Sequence, residues 1–257
     1  MSNTIKIRGR KSPEKRRPSI FWFLAAIILP LWALMTKYRY TPKSKLPETG
    51  PFILAPNHFS EIDPITVGVA VWHLGRAPRF MAKASLFRVP VVGWILRRSG
   101  QIPVERAGSR SRNPAQNALG AANEIVSREA GVIVYPEGTL TRDPDLWPMR
   151  GKTGAVRLAL EADIPLYPLA HWGSQELMPR YGKGVRPFPR KLIAVTVGEP
   201  LDLSKFKGKP LTQQLLNEAT KELMDEITAL TATLRGEDPP AERWDPVKHN
   251  QSETGRF

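Results

Sequence analysis

The sequence predicts an α/β fold: a single domain with a mostly parallel central sheet flanked by helices, preceded by an N-terminal hydrophobic helix that anchors it to a membrane. Three observations carry this expectation. Short apolar runs rich in β-branched residues alternate with stretches of helical periodicity, the rhythm of strand-helix-strand units. Hydrophobic residues make up 41% of the 257, enough for one well-buried core rather than two. Ile20 to Met35 runs without one polar side chain.

Taken in chain order, residues 1–45 form a basic N-terminus and anchor segment. Residues 1–19 hold seven Lys or Arg against one Glu, and the apolar run follows directly. At about 1.5 Å per residue the run falls short of the roughly 20 residues that span a bilayer, and Pro30 would kink it. Its downstream flank is also basic (Lys37, Arg39, Lys43, Lys45), so both ends favour the anionic cytoplasmic leaflet. A secretory signal peptide and a buried core helix are the competing readings; no small-residue cleavage site follows cleanly.

Residues 46–235 carry the α/β pattern. Strands are expected at Phe52–Ala55, Phe80–Ala82, Gln101–Val104, Val132–Tyr135, Leu166–Leu169 and Leu192–Val197. Helices are expected at Pro64–Trp72, Val92–Arg97, Pro114–Arg128, Thr153–Leu160 and, amphipathic and C-terminal, Thr212–Leu234. A long loop, Gly173–Arg190, offers Lys183, Arg186 and Arg190. Residues 236–257, rich in Pro and charge, read as a poorly ordered tail.

Composition limits the chemistry. With no cysteine there is no disulfide, no thiolate metal site and no Cys nucleophile. His73 and His171 have no partners at metal-ligand spacing, so neither a metal nor another cofactor is expected. Gly151-Lys152-Thr153 is not a phosphate loop, because the glycine required five positions earlier is Leu146. A formal net charge of +14 calls for an anionic partner: nucleic acid, lipid headgroups or a phosphorylated substrate. The anchor favours lipids over nucleic acid.

The segment Asn57-His58-Phe59-Ser60-Glu61-Ile62-Asp63-Pro64 follows a strand. On a continuous helix, His58 and Asp63 would point about 140° apart. A turn brings them together: His58 leaves the strand, Asp63 caps the next helix, and Pro64 takes the first helical position. The carboxylate then accepts the Nδ1 hydrogen, which leaves Nε2 to act as a general base. Ser60 lacks a nucleophile-elbow setting and suits a capping or His-orienting role.

This block resembles the N-H-x-S-x-x-D-P signature of the glycerolipid acyltransferase family, which includes the bacterial 1-acylglycerol-3-phosphate acyltransferases. Three further blocks follow in the family's order: Gly100-Gln101-Ile102-Pro103-Val104-Glu105-Arg106, Val134-Tyr135-Pro136-Glu137-Gly138-Thr139, and Ile164-Pro165-Leu166-Tyr167-Pro168. The stretch from Lys83 through Pro90 to Trp94 is similar too. The resemblance implies that Arg106, Glu137, Gly138 and Thr139 hold the acceptor's phosphate or its hydroxyls. A guanidinium fork suits phosphate, Gly138 admits close backbone amides, and Lys83 adds a point charge. Glu137, which repels phosphate, is expected on a substrate hydroxyl or on Arg106. Where the family commonly continues Glu-Gly-Thr-Arg-Ser, this chain reads Leu140-Thr141-Arg142. Either Arg142 reaches the anion by another path, or the acceptor differs.

The resemblance implies transfer of a fatty acyl group from acyl-CoA or acyl-carrier protein to lysophosphatidic acid, giving phosphatidic acid at the cytoplasmic face of the membrane. Backbone amides around Gln101–Pro103 are the expected oxyanion donors, and Lys183–Arg190 the expected landing site for the donor. The competing readings are a sister enzyme acting on glycerol-3-phosphate or a glycolipid, and a non-enzymatic basic peripheral membrane protein.

Overall fold

A computed structural model describes residues 12–16, 19–104 and 114–252. Two helices, α1 (Pro13–Arg16) and α2 (Ile20–Met35), lead into β1 (Thr36–Tyr40), β2 (Phe52–Pro56) and α3 (Asp63–His73). Then come β3 (Met81–Lys83), a 3-10 turn over Ala84–Arg88, α4 (Val92–Arg98), β4 (Ile102–Val104), α5 (Pro114–Ser127) and β5 (Gly131–Ile133). The chain continues through α6 (Gly154–Ala162), β6 (Leu166–Trp172), α7 (Ser174–Leu177), β7 (Lys191–Val197) and α8 (Gln213–Arg235).

Five strands form one sheet in the order β1-β7-β6-β2-β5. All pairs are parallel except β6 with β7. β3 and β4 pair in parallel beside it, and a parallel bridge from Phe80 to Ile133 joins them to the β5 edge. Crossover connections bury a parallel sheet on both faces, and β2 shows the result: every residue from Phe52 to Pro56 is buried. Successive side chains alternate. Ile53 and Ala55 pack with residues of α5, α6 and α8, whereas Phe52 and Leu54 pack with Val67 and Val71 of α3.

One element differs from expectation at the N-terminal side of the sheet. Thr36–Tyr40, assigned from sequence to the anchor segment, pairs with Lys191–Val195 as an edge strand. Immediately before it, α2 is a helix as expected, packed through Phe21 and Trp32 against Trp72, Ala77, Ile62 and Val69. Phe23, Ile27, Leu31 and Leu34 form an exposed apolar stripe at helical spacing. No helix of the described residues is long and apolar enough to cross a membrane.

At the other end, residues beyond 235 are more structured than their composition suggests. A 3-10 turn covers Pro246–His249, Trp244 stacks on His249, and the Trp244 carbonyl accepts the Arg150 amide. Residues 253–257 lie outside the described residues.

Candidate active site

β2 ends in the interior and delivers Asn57 and His58 at its carboxyl end, where sites of parallel sheets form. Asn57 is locked to the neighbouring strand β6. Its amide donates to the His171 carbonyl at 3.1 Å, its carbonyl oxygen accepts the His171 N–H at 3.0 Å, and its main-chain oxygen accepts from His171 Nε2 at 3.1 Å. This clamp fixes the residue before His58 in all directions.

His58 is then held on four sides. Its N–H donates to Glu137 Oε1 at 2.8 Å, and its carbonyl accepts the Thr141 amide at 2.7 Å. One ring face stacks on Tyr135 with centroids 4.1 Å apart. Nδ1 lies 3.0 Å from Asp63 Oδ2. The side chain keeps 15% of its surface exposed, and Nε2 makes no hydrogen bond to the described residues. A carboxylate accepts, so Nδ1 carries the hydrogen and Nε2 presents its lone pair.

Asp63 is fully buried. Oδ2 also accepts the amides of Phe59 and Ser60, both at 2.8 Å, while Oδ1 accepts the Ser174 hydroxyl at 2.6 Å. The expected capping role is corrected here: Ile62 is the N-cap, Asp63 is itself the first helical residue, and its carboxylate turns back onto the preceding turn. The turn toward the imidazole is as expected. Burial pushes the Asp63 carboxyl up, but His171, His58 and Ser174 outweigh it and hold the group below the usual carboxylate range. Burial pushes His171 itself down, and a neutral imidazole attracts weakly, so the hydrogen bonds are the firmer cause.

Within the third sequence block, Glu137 plays a different part from the one expected. Glu137, assigned from sequence to a substrate hydroxyl or to Arg106, is fully buried, with Oε1 on the His58 amide and Oε2 on the Met149 amide at 3.1 Å. It braces His58 from behind. Burial pushes its carboxyl up to about 8, against the pull of the Met149 and His58 amides. A raised carboxyl contributes stability below the unfolded value and loses it as pH rises through the folded one. Wild-type protein should therefore lose about 1 kcal/mol or more of stability relative to Glu137→Gln between pH 5 and pH 8, read by urea unfolding at both.

Gly138 takes φ +71°, which favours glycine, and the Lys152 side chain lies over it. Gly138 and Thr139 are half-buried at the site's edge. Leu140, at the position of the family's arginine, is buried. Arg142 is buried as well, and its guanidinium donates to the Tyr181 hydroxyl, so it is not placed on an acceptor. Lys83 ends β3, but its side chain falls outside the described residues, as does the whole of Arg106.

One other expectation changes. The amides proposed for the oxyanion are already used, Gln101 N–H on Leu96 and Ile102 N–H on Phe80. The Ser60 hydroxyl donates to the Met178 carbonyl at 2.6 Å and accepts the Ile62 amide at 3.4 Å, so of its two expected roles it takes the capping one, at the turn into α3, and does not orient His58. The residues that sequence reasoning missed are His171 and Ser174, more than 100 positions from the groups they touch. Only the fold brings them in.

Comparison with known proteins agrees with this architecture. The family model described as Acyltransferase matches residues 37–172, just over half of the chain. A chloroplastic 1-acyl-sn-glycerol-3-phosphate acyltransferase of Brassica napus is 30% identical over 164 residues, covering 62% of this chain and 45% of that protein. One from Arabidopsis thaliana is 26% identical, covering 78% of this chain and 53% of its own length. The chain thus spans about half the length of these plant relatives. A 1-acyl-sn-glycerol-3-phosphate acyltransferase of Bacillus subtilis is 28% identical over 217 residues, covering 82% of this chain and 100% of that one. The crystal structure of the acyltransferase PlsC from Thermotoga maritima shares the fold, with a TM-score of 0.55 and 19% identity over 82% of this chain and 79% of that one. With sequence blocks, fold and family model in agreement, the chain belongs to the acyltransferase family.

Proposed function

We propose that the protein acylates lysophosphatidic acid to phosphatidic acid, taking the acyl group from acyl-CoA or acyl-carrier protein at the cytoplasmic face of the membrane. The observation that carries this reading is the His58–Asp63 pair, buried on the carboxylate side and open at the imidazole. Nε2 takes the proton of the acceptor hydroxyl as that oxygen attacks the thioester carbonyl carbon. The carbon–sulfur bond then breaks, and the departing thiolate takes the proton back from Nε2. Asp63 stays ionised throughout and stabilises the imidazolium between the two steps. No acyl-enzyme forms on Ser60, whose hydroxyl is committed to Met178.

Support for the acceptor comes from the names of the relatives. Arg106, Lys83, Gly138 and Thr139 are the residues we assign to its phosphate. Lys183 and Arg186, both exposed on the long loop, are assigned to the anionic donor. The α2 stripe holds the catalytic face at the leaflet, so the acceptor's chain stays in hydrocarbon; exposing it would cost about 0.8 kcal/mol per CH₂. Because Arg142 is committed to Tyr181, glycerol-3-phosphate and a glycolipid remain the competing acceptors.

Purified protein should be tested against all three acceptors with each donor, following labelled acyl transfer. The expected result is turnover highest with lysophosphatidic acid. Higher turnover with either competitor would replace the acceptor, and no transfer to any of them would refute the reading.

A further inference from the structure

We infer that the segment from Ala84 to Arg98, the 3-10 turn and α4, is a second membrane-insertion element that enters an anionic bilayer beside the active site. This inference rests on the proposed membrane attachment and adds a contact that the N-terminal helix does not supply.

The segment presents apolar side chains to solvent. Leu86, Val89, Val91, Val92 and Trp94 are all exposed, Val91 at 70% and Trp94 at 55%. Such clustering differs from the scattered exposed apolar residues of ordinary surfaces. These side chains are held outward by a compact scaffold. Gly93 packs so closely on the 3-10 turn that a Cβ there would stand 2.2 Å from the Phe87 carbonyl oxygen. The Arg97 guanidinium donates to that same carbonyl. At the apex, the Val92 amide donates to the Pro90 carbonyl at 2.6 Å around Val91, whose φ is +60°. That tight turn is strained for a β-branched residue and drives its side chain away from the protein.

The charge around the patch identifies its occupant. Arg88, Arg97 and Arg98 are exposed on the same short segment, and no Asp or Glu occurs between Asp63 and Glu105. Apolar residues ringed by arginine suit an anionic lipid surface, with the apolar groups in the acyl region and the guanidiniums at the phosphates.

Position completes the case. β3 runs parallel to the sheet through the bridge at Phe80, so the segment emerges at the carboxyl edge where His58 sits. Phe80 stacks on Tyr135 and Tyr135 stacks on His58, a ladder of rings from β3 to the imidazole. Just before β3, Arg79 lies over the Phe21 ring of the anchor helix. The adjoining pair Arg79 and Phe80 therefore touches the anchor helix on one side and leads by stacked rings to the imidazole on the other. A lipid acceptor could then reach His58 without leaving the bilayer.

The absence of cysteine makes the test direct. Val91→Cys and Leu31→Cys would each carry one environment-sensitive fluorophore, with vesicles of phosphatidylcholine and phosphatidylglycerol in equal parts as the probe. Both labels should shift to the blue on vesicles. A shift at position 31 with none at position 91 overturns the inference but leaves the anchor reading intact, and silence at both overturns both. A shift at position 91 that grows with protein concentration without vesicles would assign the face to a second copy of the chain, and also overturns it. In an independent arm, Val91→Asp with Trp94→Asp should lower transfer to vesicle-embedded acceptor by about tenfold or more, the scale of charge burial in lipid. Transfer to a short-chain, water-soluble acceptor should be unchanged. An equal loss on both acceptors contradicts the inference.

Discussion

His58→Ala should lower kcat for acyl transfer by about a hundredfold to ten-thousandfold, the range that a positioned general base contributes. It should do so without unfolding the protein. The ring is not a core group: 15% of the side chain is exposed, and its contacts are one carboxylate and one aromatic face. The backbone bonds to Glu137 and Thr141 survive truncation, because they are made by the main chain of residue 58. Circular dichroism and vesicle sedimentation should therefore match wild type while turnover collapses. Retention of more than a tenth of wild-type kcat would remove His58 from the chemistry.

Asp63→Asn should produce both a catalytic and a structural defect. The wild-type carboxylate accepts from four groups: His58 Nδ1, the Phe59 and Ser60 amides, and the Ser174 hydroxyl. An amide has one acceptor oxygen, so its NH₂ must face donors on one side, and a buried donor left unpaired costs about 1–3 kcal/mol. The imidazole also loses the anion that fixes its tautomer and stabilises its protonated form. The variant should lose about 2–4 kcal/mol in urea unfolding and at least about a hundredfold in kcat at a temperature where it stays folded. The acid limb offers a further check. A carboxyl held below its unfolded value contributes stability above that unfolded value and loses it as pH falls through the folded one. Wild type should thus approach the variant's stability as the solution is acidified, whereas a constant gap would show that Asp63 is not ionised in the folded protein.

Much of the frame is legible in the sequence alone. The period of apolar residues located β2 and α3 to within one residue, because both are buried on the faces their pattern implies. The His58–Asp63 partnership was legible as well, since a turn ending in Asp-Pro constrains where a carboxylate can go. Three things were not legible, for separate reasons. β1 is an edge strand whose partner lies about 155 positions away, and its alternating Thr-Lys-Tyr-Arg-Tyr is too short to stand out beside an apolar helix. The antiparallel step between β6 and β7 leaves no trace in composition, because a strand buried on both faces reads the same in either direction. The roles of Glu137 and of the Gln101 and Ile102 amides depend on what lies behind them, which is tertiary information. A motif gave Glu137 a place at the site, and only burial showed that it supports His58 from the protein side.

The most direct measurement is a double-mutant cycle on kcat with His58→Ala, Asp63→Asn and the combined variant, all at one pH and equal vesicle occupancy. If the carboxylate acts through the imidazole, the combined variant should be no slower than His58→Ala alone, because nothing remains for Asp63 to orient. Losses that instead multiply, with the double variant slower by the product of the two single effects, would mean that the residues work independently and would contradict a general-base pair.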